Sequence, residues 1–258
     1  LPSPADSSTA AHAARYDGRS AEDIAAALSL PRVVLFDEVG STLDVAHELA
    51  AKGAPAGTLV VADAQTSGRG RLGRSWRSEA GAGIWLTLIE RPRDVAALDV
   101  LSLRIGLALA PALDVFTTAP VELKWPNDLY VGGRKLGGIL VEARWRESAP
   151  EWTAIGVGVN LRAPAGELRA VGLVAGATRG EVLTRVVPAM RAAAARTGTL
   201  DEAELSAFAS RNGVVGRRCR EPVAGVIRGI DPSGALMVDV GSEIAIIRAG
   251  SLVLEEEL

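Results

Sequence analysis

The amino-acid sequence predicts an α+β fold: a mixed sheet with helices packed on it, followed by a small C-terminal antiparallel β-barrel. Three observations carry this. A strand–helix–strand pattern near the start gives way to a run of strand patterns joined by tight turns, which makes an all-parallel sheet a poor fit. After Gly213 the texture changes to short β-rich runs split by Asp231-Pro-Ser-Gly234 and Gly241-Ser242, the pattern of a barrel of four or five strands. The 258 residues are 48% hydrophobic, enough for one large core and a small second one. The expected division is a flexible arm and short helix over 1–30, a main domain over 31–213 and the barrel over 214–258.

Taken in order, Ser20-Ala-Glu-Asp opens a short capped helix. RVVLFDEV (32–39) is a strand. Ser41 or Thr42 caps a helix through about Lys52, with Leu43, Ala46, Leu49 and Ala50 on one face and Gly53 ending it. TLVVAD (58–63) is a strand, a glycine-rich loop runs from Thr66 to Gly83, and IWLTLIE (84–90) is a strand. One long apolar helix covers about 96–116. VELKW (121–125), LYV (129–131) and KLGGILVEARW (135–145) are strands, the last two joined by a Gly132-Gly133 turn. WTAIGVGVNL (152–161) is another strand, and helices cover about 179–197 and 201–211.

The net charge of −3 argues against non-specific nucleic-acid binding by the whole surface. Cys219 is the only cysteine, so no intrachain disulfide forms, which suits a reducing compartment. No apolar run reaches the length of about 18 residues that a membrane span needs. The opening LPSPADSSTAAHAARYDG lacks the apolar core of a signal peptide. Of 28 basic residues only Lys52, Lys124 and Lys135 are lysines; in a chain that defaults to arginine, a retained lysine hints that a compact ammonium matters.

QTSGRGRLGRSW (65–76) contains Gly68-x-Gly70-x-x-Gly73, the spacing of a dinucleotide-binding turn. The context fails: no amphipathic helix follows, and Glu90, at the distance of a ribose-binding acid, ends the very next strand. An anion-binding loop fits better. Glycines let backbone N–H groups approach a ligand, and Arg69, Arg71 and Arg74 add planar donors for phosphate or carboxylate. Arg69 and Arg71 point the same way if the loop is extended, and the empty loop is expected to be mobile. The spacing alone leaves a solvated surface loop equally open.

A second stretch decides between them. In Lys124-Trp-Pro-Asn-Asp128, Pro126 breaks the strand and leaves Asn127 and Asp128 at a turn. Lys135 then starts the returning strand, and Gly137-Gly138 removes side chains beside it, as where a ligand approaches closely. Asn127 can read a base edge, Asp128 can hold magnesium, and Lys135 can neutralise a carboxylate or phosphate.

GRGRLGRSW, KWPNDLYVGGRKLGGILVE and GVGVN, in this order, resemble the biotin–protein ligases (biotin–acetyl-CoA-carboxylase ligases) over about residues 33–258. The resemblance implies a catalytic domain akin to class II aminoacyl-tRNA synthetases. With about 30 residues before the first strand, it points to the monofunctional type without an N-terminal DNA-binding domain. The implied reaction joins biotin to ATP as biotinyl-5′-AMP, releases pyrophosphate, and transfers biotin to one lysine of a biotin carboxyl carrier protein of acetyl-CoA carboxylase or a related carboxylase. Magnesium is the implied metal and the cytoplasm the implied compartment, with neither DNA nor membrane as partner and a monomer or weak dimer as the assembly.

By motif position, the resemblance implies biotin contacts from Ser41, Thr42, Gln65, Gly68, Arg69, Lys135, Gly138, Gly156 and Val159. It implies nucleotide contacts from Arg71, Arg74, Trp76, Lys124, Asn127, Asp128 and Asn160, with Asp128 as the magnesium candidate. Lys135, Arg69 and Arg71 are the catalytic set. Leu43 departs from the pattern, since an Asn usually follows the Ser-Thr pair. The histidines are His12 and His47, and no Cys–His pair is visible, which weighs against the cysteine-dependent octanoyl-transferases of similar fold. Lipoate–protein ligase is the second enzymatic reading, and an arginine-loop nucleic-acid binder the non-enzymatic one.

Overall fold

The computed structural model of the protein describes residues 15–92 and 94–256; residues 1–14 of the arm and short helix expected over 1–30 lie outside them. Helix α1 (Ala21–Leu28) opens with the expected capping box: Ser20 Oγ accepts from the Asp23 N–H at 3.1 Å, and the Asp23 carboxylate accepts from the Ser20 N–H at 3.0 Å. Strands β1 (Arg32–Val39) and β2 (Thr58–Gln65) pair in parallel, with α2 (Thr42–Ala51) as their crossover. Strand β3 (Gly83–Glu90) follows the glycine-rich loop and pairs antiparallel with β2.

The single helix expected over 96–116 is two, α3 (Val95–Asp99) and α4 (Leu101–Asp114), broken at Val100. Val100 is fully buried, so the apolar pattern runs on through the kink and conceals it. Next come β4 (Glu122–Lys124), β5 (Asp128–Val131), β6 (Arg134–Arg146) and β7 (Ala149–Asn160). Gly132 and Gly133 turn between β5 and β6 with φ of 55° and 73°, the conformation a two-residue hairpin needs and glycine adopts freely. The seven strands lie in the order β1-β2-β3-β7-β6-β5-β4, and β1–β2 is the one parallel pair.

Alternation along the strands divides the side chains between two layers. Leu59, Val61, Leu86, Leu88, Ile155, Val157 and Val159 join the main core beneath α4 and the later helix α5 (Arg179–Ala194). Val60, Ile89 and Ala154 point to the other face, against Leu43, Ala46 and Ala50 of α2. Only part of that second face is covered by a helix, and the remainder forms the floor of a cleft.

Helix α6 (Glu202–Arg211) is tied to α4 by a buried ion pair: Arg104 Nε lies 2.7 Å from Glu204 Oε1, and Arg104 Nη2 also donates to the Thr199 carbonyl. Then β8 (Arg218–Glu221), β9 (Gly225–Ile230), β10 (Leu236–Asp239), β11 (Ile244–Ile247) and β12 (Val253–Leu254) form a separate antiparallel sheet in the order β11-β10-β9-β8-β12. It docks on the first unit through the Trp125 indole N–H, which donates to the Gly234 carbonyl at 2.9 Å, and the Leu200 N–H, which donates to Pro232.

Candidate active site

The cleft, about 440 Å³, lies over the uncovered part of the seven-stranded sheet. Two cross-strand rows make its floor. In one, Asp128, Gly138 and Gly158 are neighbours on β5, β6 and β7; in the other, Leu140 and Gly156 are neighbours on β6 and β7. The glycines expose bare backbone, and the Trp76 indole lies on it. A Cβ added at Gly158 would come within 2.6 Å of Trp76 Nε1, so a glycine is required there. The Trp76 indole N–H is buried without a hydrogen-bond partner in the protein, whereas its backbone N–H is bonded within the loop.

One end of the cleft is polar and buried. Thr42 donates to Gln65 Oε1 from its backbone N–H (2.8 Å) and its hydroxyl (3.1 Å), and Thr42 Oγ1 accepts from Thr87 at 2.9 Å. Gln65 Nε2 donates to Ser78 at 2.7 Å, which fixes which way its amide points. Ser41 stands at the N-cap position of α2, but its hydroxyl makes no cap bond; it is buried and unpartnered beside the cleft. Capping, expected from sequence, is therefore not its role. Leu43 lies against Gly156, within 3.1 Å of where a Cβ would stand, and makes this wall apolar.

The arginine loop folds back on itself as a small hairpin. Trp76 N–H donates to the Gly68 carbonyl, Gly70 N–H to the Arg74 carbonyl, and Arg69 and Ser75 form a bridge. Residues 71–73 make one 3₁₀ turn with Leu72 left-handed at φ 55°. The loop is thus not extended, and the expectation that Arg69 and Arg71 point the same way fails. Arg69 reaches Asp44 (3.0 Å) and Glu142 (2.9 Å). Arg71 Nη1 donates to the Gly250 carbonyl (3.2 Å) and Asn127 Oδ1 (3.4 Å), and Arg74 donates to Ser251 Oγ at 3.3 Å. Burial lowers the Arg71 guanidinium below its usual value, Asp128 opposing and Arg74 adding to the shift. A cation held there is one that a bound anion would stabilise.

At the other end, Lys135 Nζ lies 2.7 Å from Asp128 Oδ1 and 5.3 Å from the Trp76 ring centroid. Asn127 donates Nδ2 to the Ile139 carbonyl at 2.8 Å, which pins its side chain. Lys124 is buried over the Tyr130 ring, 5.4 Å from its centroid. The fold therefore gathers Ser41, Thr42, Gln65, Arg69, Arg71, Arg74, Trp76, Lys124, Asn127, Asp128, Lys135, Gly138 and Gly156 around one cleft.

Gly68, Val159 and Asn160 do not line it. Gly68 is packed under the loop, where a Cβ would lie 2.4 Å from the Trp76 carbonyl oxygen. Val159 faces the main core, and Asn160 donates to the Val171 carbonyl, holding the loop that follows β7. Successive strand residues face opposite ways, so GVGVN cannot present Gly156 and Val159 to the same side. The same alternation identifies Gly158, which the sequence reading passed over. Arg220 and Val253 of the second sheet, with Ser251 and Leu252 just before β12, also line the cleft, and nothing local in the sequence marks them.

Asp128 is one carboxylate, and no group of three or more His, Cys, Asp or Glu able to hold a metal occurs among the described residues. Such a donor set suits an ion carried in on substrate phosphates, as magnesium is usually bound. Cys219 is buried and donates to the Val223 carbonyl; burial raises its thiol above the ordinary value, against a nucleophilic role. No helix among the described residues is long and apolar enough to cross a membrane.

Residues 36–160 match the biotin/lipoate A/B protein ligase family. The chain is 34% identical over 235 residues to the biotin--[acetyl-CoA-carboxylase] ligase of Mycobacterium tuberculosis, covering 84% of this chain and 86% of that protein. It is 42% identical over 126 residues to the bifunctional ligase/repressor BirA of Bacillus spizizenii; that match covers 48% of this chain and only 39% of the relative's length. Among solved structures, the biotin protein ligase from Aquifex aeolicus in complex with biotin and ATP superposes with a TM-score of 0.69 at 26% identity, covering 88% of this chain and 99% of that one. With the glycine-floored cleft, the folded arginine loop and likeness of this extent, the chain belongs to the biotin–protein ligase family.

Proposed function

We propose that the protein is an ATP-dependent ligase that activates biotin as biotinyl-5′-AMP and transfers it to a specific lysine of a biotin carboxyl carrier protein. The reading rests above all on the two unlike ends of one cleft. At one end stand the buried, unpartnered Ser41 hydroxyl and the Thr42–Gln65 pair; at the other stand Lys135, Arg71 and Arg74. A ureido ring offers N–H and C=O groups to the first, and a carboxylate beside a phosphate suits the second. The dithiolane ring of lipoate would leave the polar end unsatisfied, a mismatch that strongly favours biotin.

In the first step a biotin carboxylate oxygen attacks the α-phosphorus of ATP, the bond to the bridging oxygen breaks, and pyrophosphate leaves. Two anions meet, so the protein's task is neutralisation and alignment. Lys135 and Arg71 supply charge at the reacting groups; Gly138 and Gly156 let biotin lie on the sheet. Trp76, Arg74, Lys124 and Asn127 take the nucleotide, and Asp128 would hold the magnesium ion that accompanies it, shielding phosphate charge. In the second step the carrier lysine amine attacks the mixed anhydride and AMP leaves, with no covalent enzyme intermediate. The single free thiol, Cys219, suits the reducing cytoplasm as the place of this reaction.

The test is ATP–pyrophosphate exchange with biotin, and with lipoate as control. Exchange with biotin alone is expected. Exchange supported by lipoate instead would overturn the substrate assignment, and exchange with neither would overturn the ligase.

A further inference from the structure

Of Arg69, Arg71 and Arg74, Arg69 is the one whose guanidinium is held by carboxylates, and both of them come from outside the loop. Its Nη2 lies 3.0 Å from Asp44 Oδ1 on α2 and 2.9 Å from Glu142 Oε2 on β6. Glu142 is itself held: His47 Nε2 lies 2.9 Å from the same Oε2. The His47 ring is oriented in turn, because the Trp152 indole N–H donates to His47 Nδ1 at 3.0 Å. An indole N–H only donates, so Nδ1 must accept, and the neutral ring carries its hydrogen on Nε2, aimed at Glu142. The chain Trp152–His47–Glu142–Arg69 therefore has a single consistent set of donors and acceptors. None of Asp44, His47, Glu142 and Trp152 lines the cleft.

This arrangement joins the loop to the helix that carries Ser41 and Thr42, on the side opposite the contacts that Arg71 and Arg74 make with residues 250–251. We propose that Asp44, His47 and Glu142 are positioning residues that latch the loop shut over the cleft through Arg69. In the ligase reaction proposed above, on which this second half of the inference rests, the latch prolongs retention of the activated adenylate without touching it.

The side chains of Arg69 (37% exposed), Asp44 (59%) and Glu142 (30%) are partly solvated, so each ion pair is worth little alone. Pairs of this kind shift an opening equilibrium by about two- to five-fold. Trypsin cleavage after the loop arginines reports that equilibrium when reclosing is fast. With no ligand added, Glu142→Gln and Asp44→Asn should each be cut within residues 69–77 about two- to five-fold faster than the wild-type protein, while Arg146→Gln, farther along β6, should be cut at the wild-type rate. Asp44 is well exposed, so its variant tests the latch even if Glu142→Gln folds poorly. Cleavage of Asp44→Asn at the wild-type rate overturns the latch. The second arm measures free biotinyl-adenylate released per carrier molecule labelled. The ratio should rise by a similar factor in both variants, with ATP–pyrophosphate exchange near wild type; an unchanged ratio overturns the retention role. If the wild-type protein makes no adenylate from biotin, the ligase reading fails, and the ligand-free digestion alone decides the latch.

Discussion

Lys135 and Arg71 bring two cations to one cleft from different elements, each steadied by a neighbour: Lys135 by Asp128, Arg71 by the Gly250 carbonyl. In the proposed reaction, losing Lys135 takes one fixed stabiliser from a developing negative charge. Lys135→Ala is expected to slow ATP–pyrophosphate exchange by about 10²–10³-fold with the fold intact by circular dichroism; exchange within a few-fold of wild type would remove Lys135 from catalysis. Arg71 acts differently, because its side chain links the loop to the carbonyl of residue 250, next to the cleft-lining Ser251. Arg71→Gly deletes that link and, in the proposed reaction, a phosphate partner with it, so the variant should make the adenylate and release it. The readout is biotin on lysines of a bystander protein, rising with ATP and biotin; labelling confined to the carrier would refute the assignment. Both residues were legible because a lysine among arginines and an arginine among glycines are conspicuous. Gly158 was not, because its meaning lies in the Trp76 ring above it.

At the scale of elements, the β5–β6 hairpin and the cap of α1 were readable, since a Gly-Gly turn or a Ser-x-x-Asp box acts over a few residues, whereas the Ser41 cap expected on α2 did not form. The kink at Val100 was not, because both helices bury the same kind of side chain on either side of it. The direction of the loop arginines was also hidden: it depends on the left-handed Leu72 and on acceptors from α2, β6 and the second sheet. The joint between α4 and α6 is likewise non-local. Arg104 and Glu204 are nearly inaccessible, and Arg104 also serves the Gly198 and Thr199 carbonyls. Removing one member leaves the other charge buried. Arg104→Ala is therefore expected to destabilise the protein by about 3–5 kcal/mol, measured by urea denaturation; a change below about 1 kcal/mol, the range of exposed pairs, would show that the pair is solvated in solution.

Across the whole molecule, carboxyl groups at helix ends and joints set the response to acid. The Gly198 N–H holds Asp94 below its usual value, and the Glu204 N–H does so for Asp201. At Asp114 and Glu204 burial pushes upward, but Arg211 and Arg104 respectively overcome it and both end lowered. Each of these groups binds protons less readily folded than unfolded. Their contribution is present above the unfolded value and lost as pH falls through the folded one. Glu90 has the opposite sign: burial raises it against Arg191, so its contribution fades as pH rises. The lowered groups outnumber it, and Tm should fall steadily from about pH 5 to about pH 3. A flat Tm over that interval would contradict the paired carboxylates described here.

The order of strands and helices, the change of texture after Gly213 and the residue content of two long motifs were determined by sequence alone, because periodicity, turn residues and charge act locally along the chain. The tertiary structure decided which side chains share a cleft. Strand alternation sent Gly156 and Gly158 to the cleft and Val159 to the core. Sheet pairing set Gly138 beside Gly158, and docking of the second sheet brought residues 250–253 to the loop. Those outcomes depend on partners up to 179 residues away in the chain, as between Arg71 and Gly250, and contacts at that separation leave no local pattern to read.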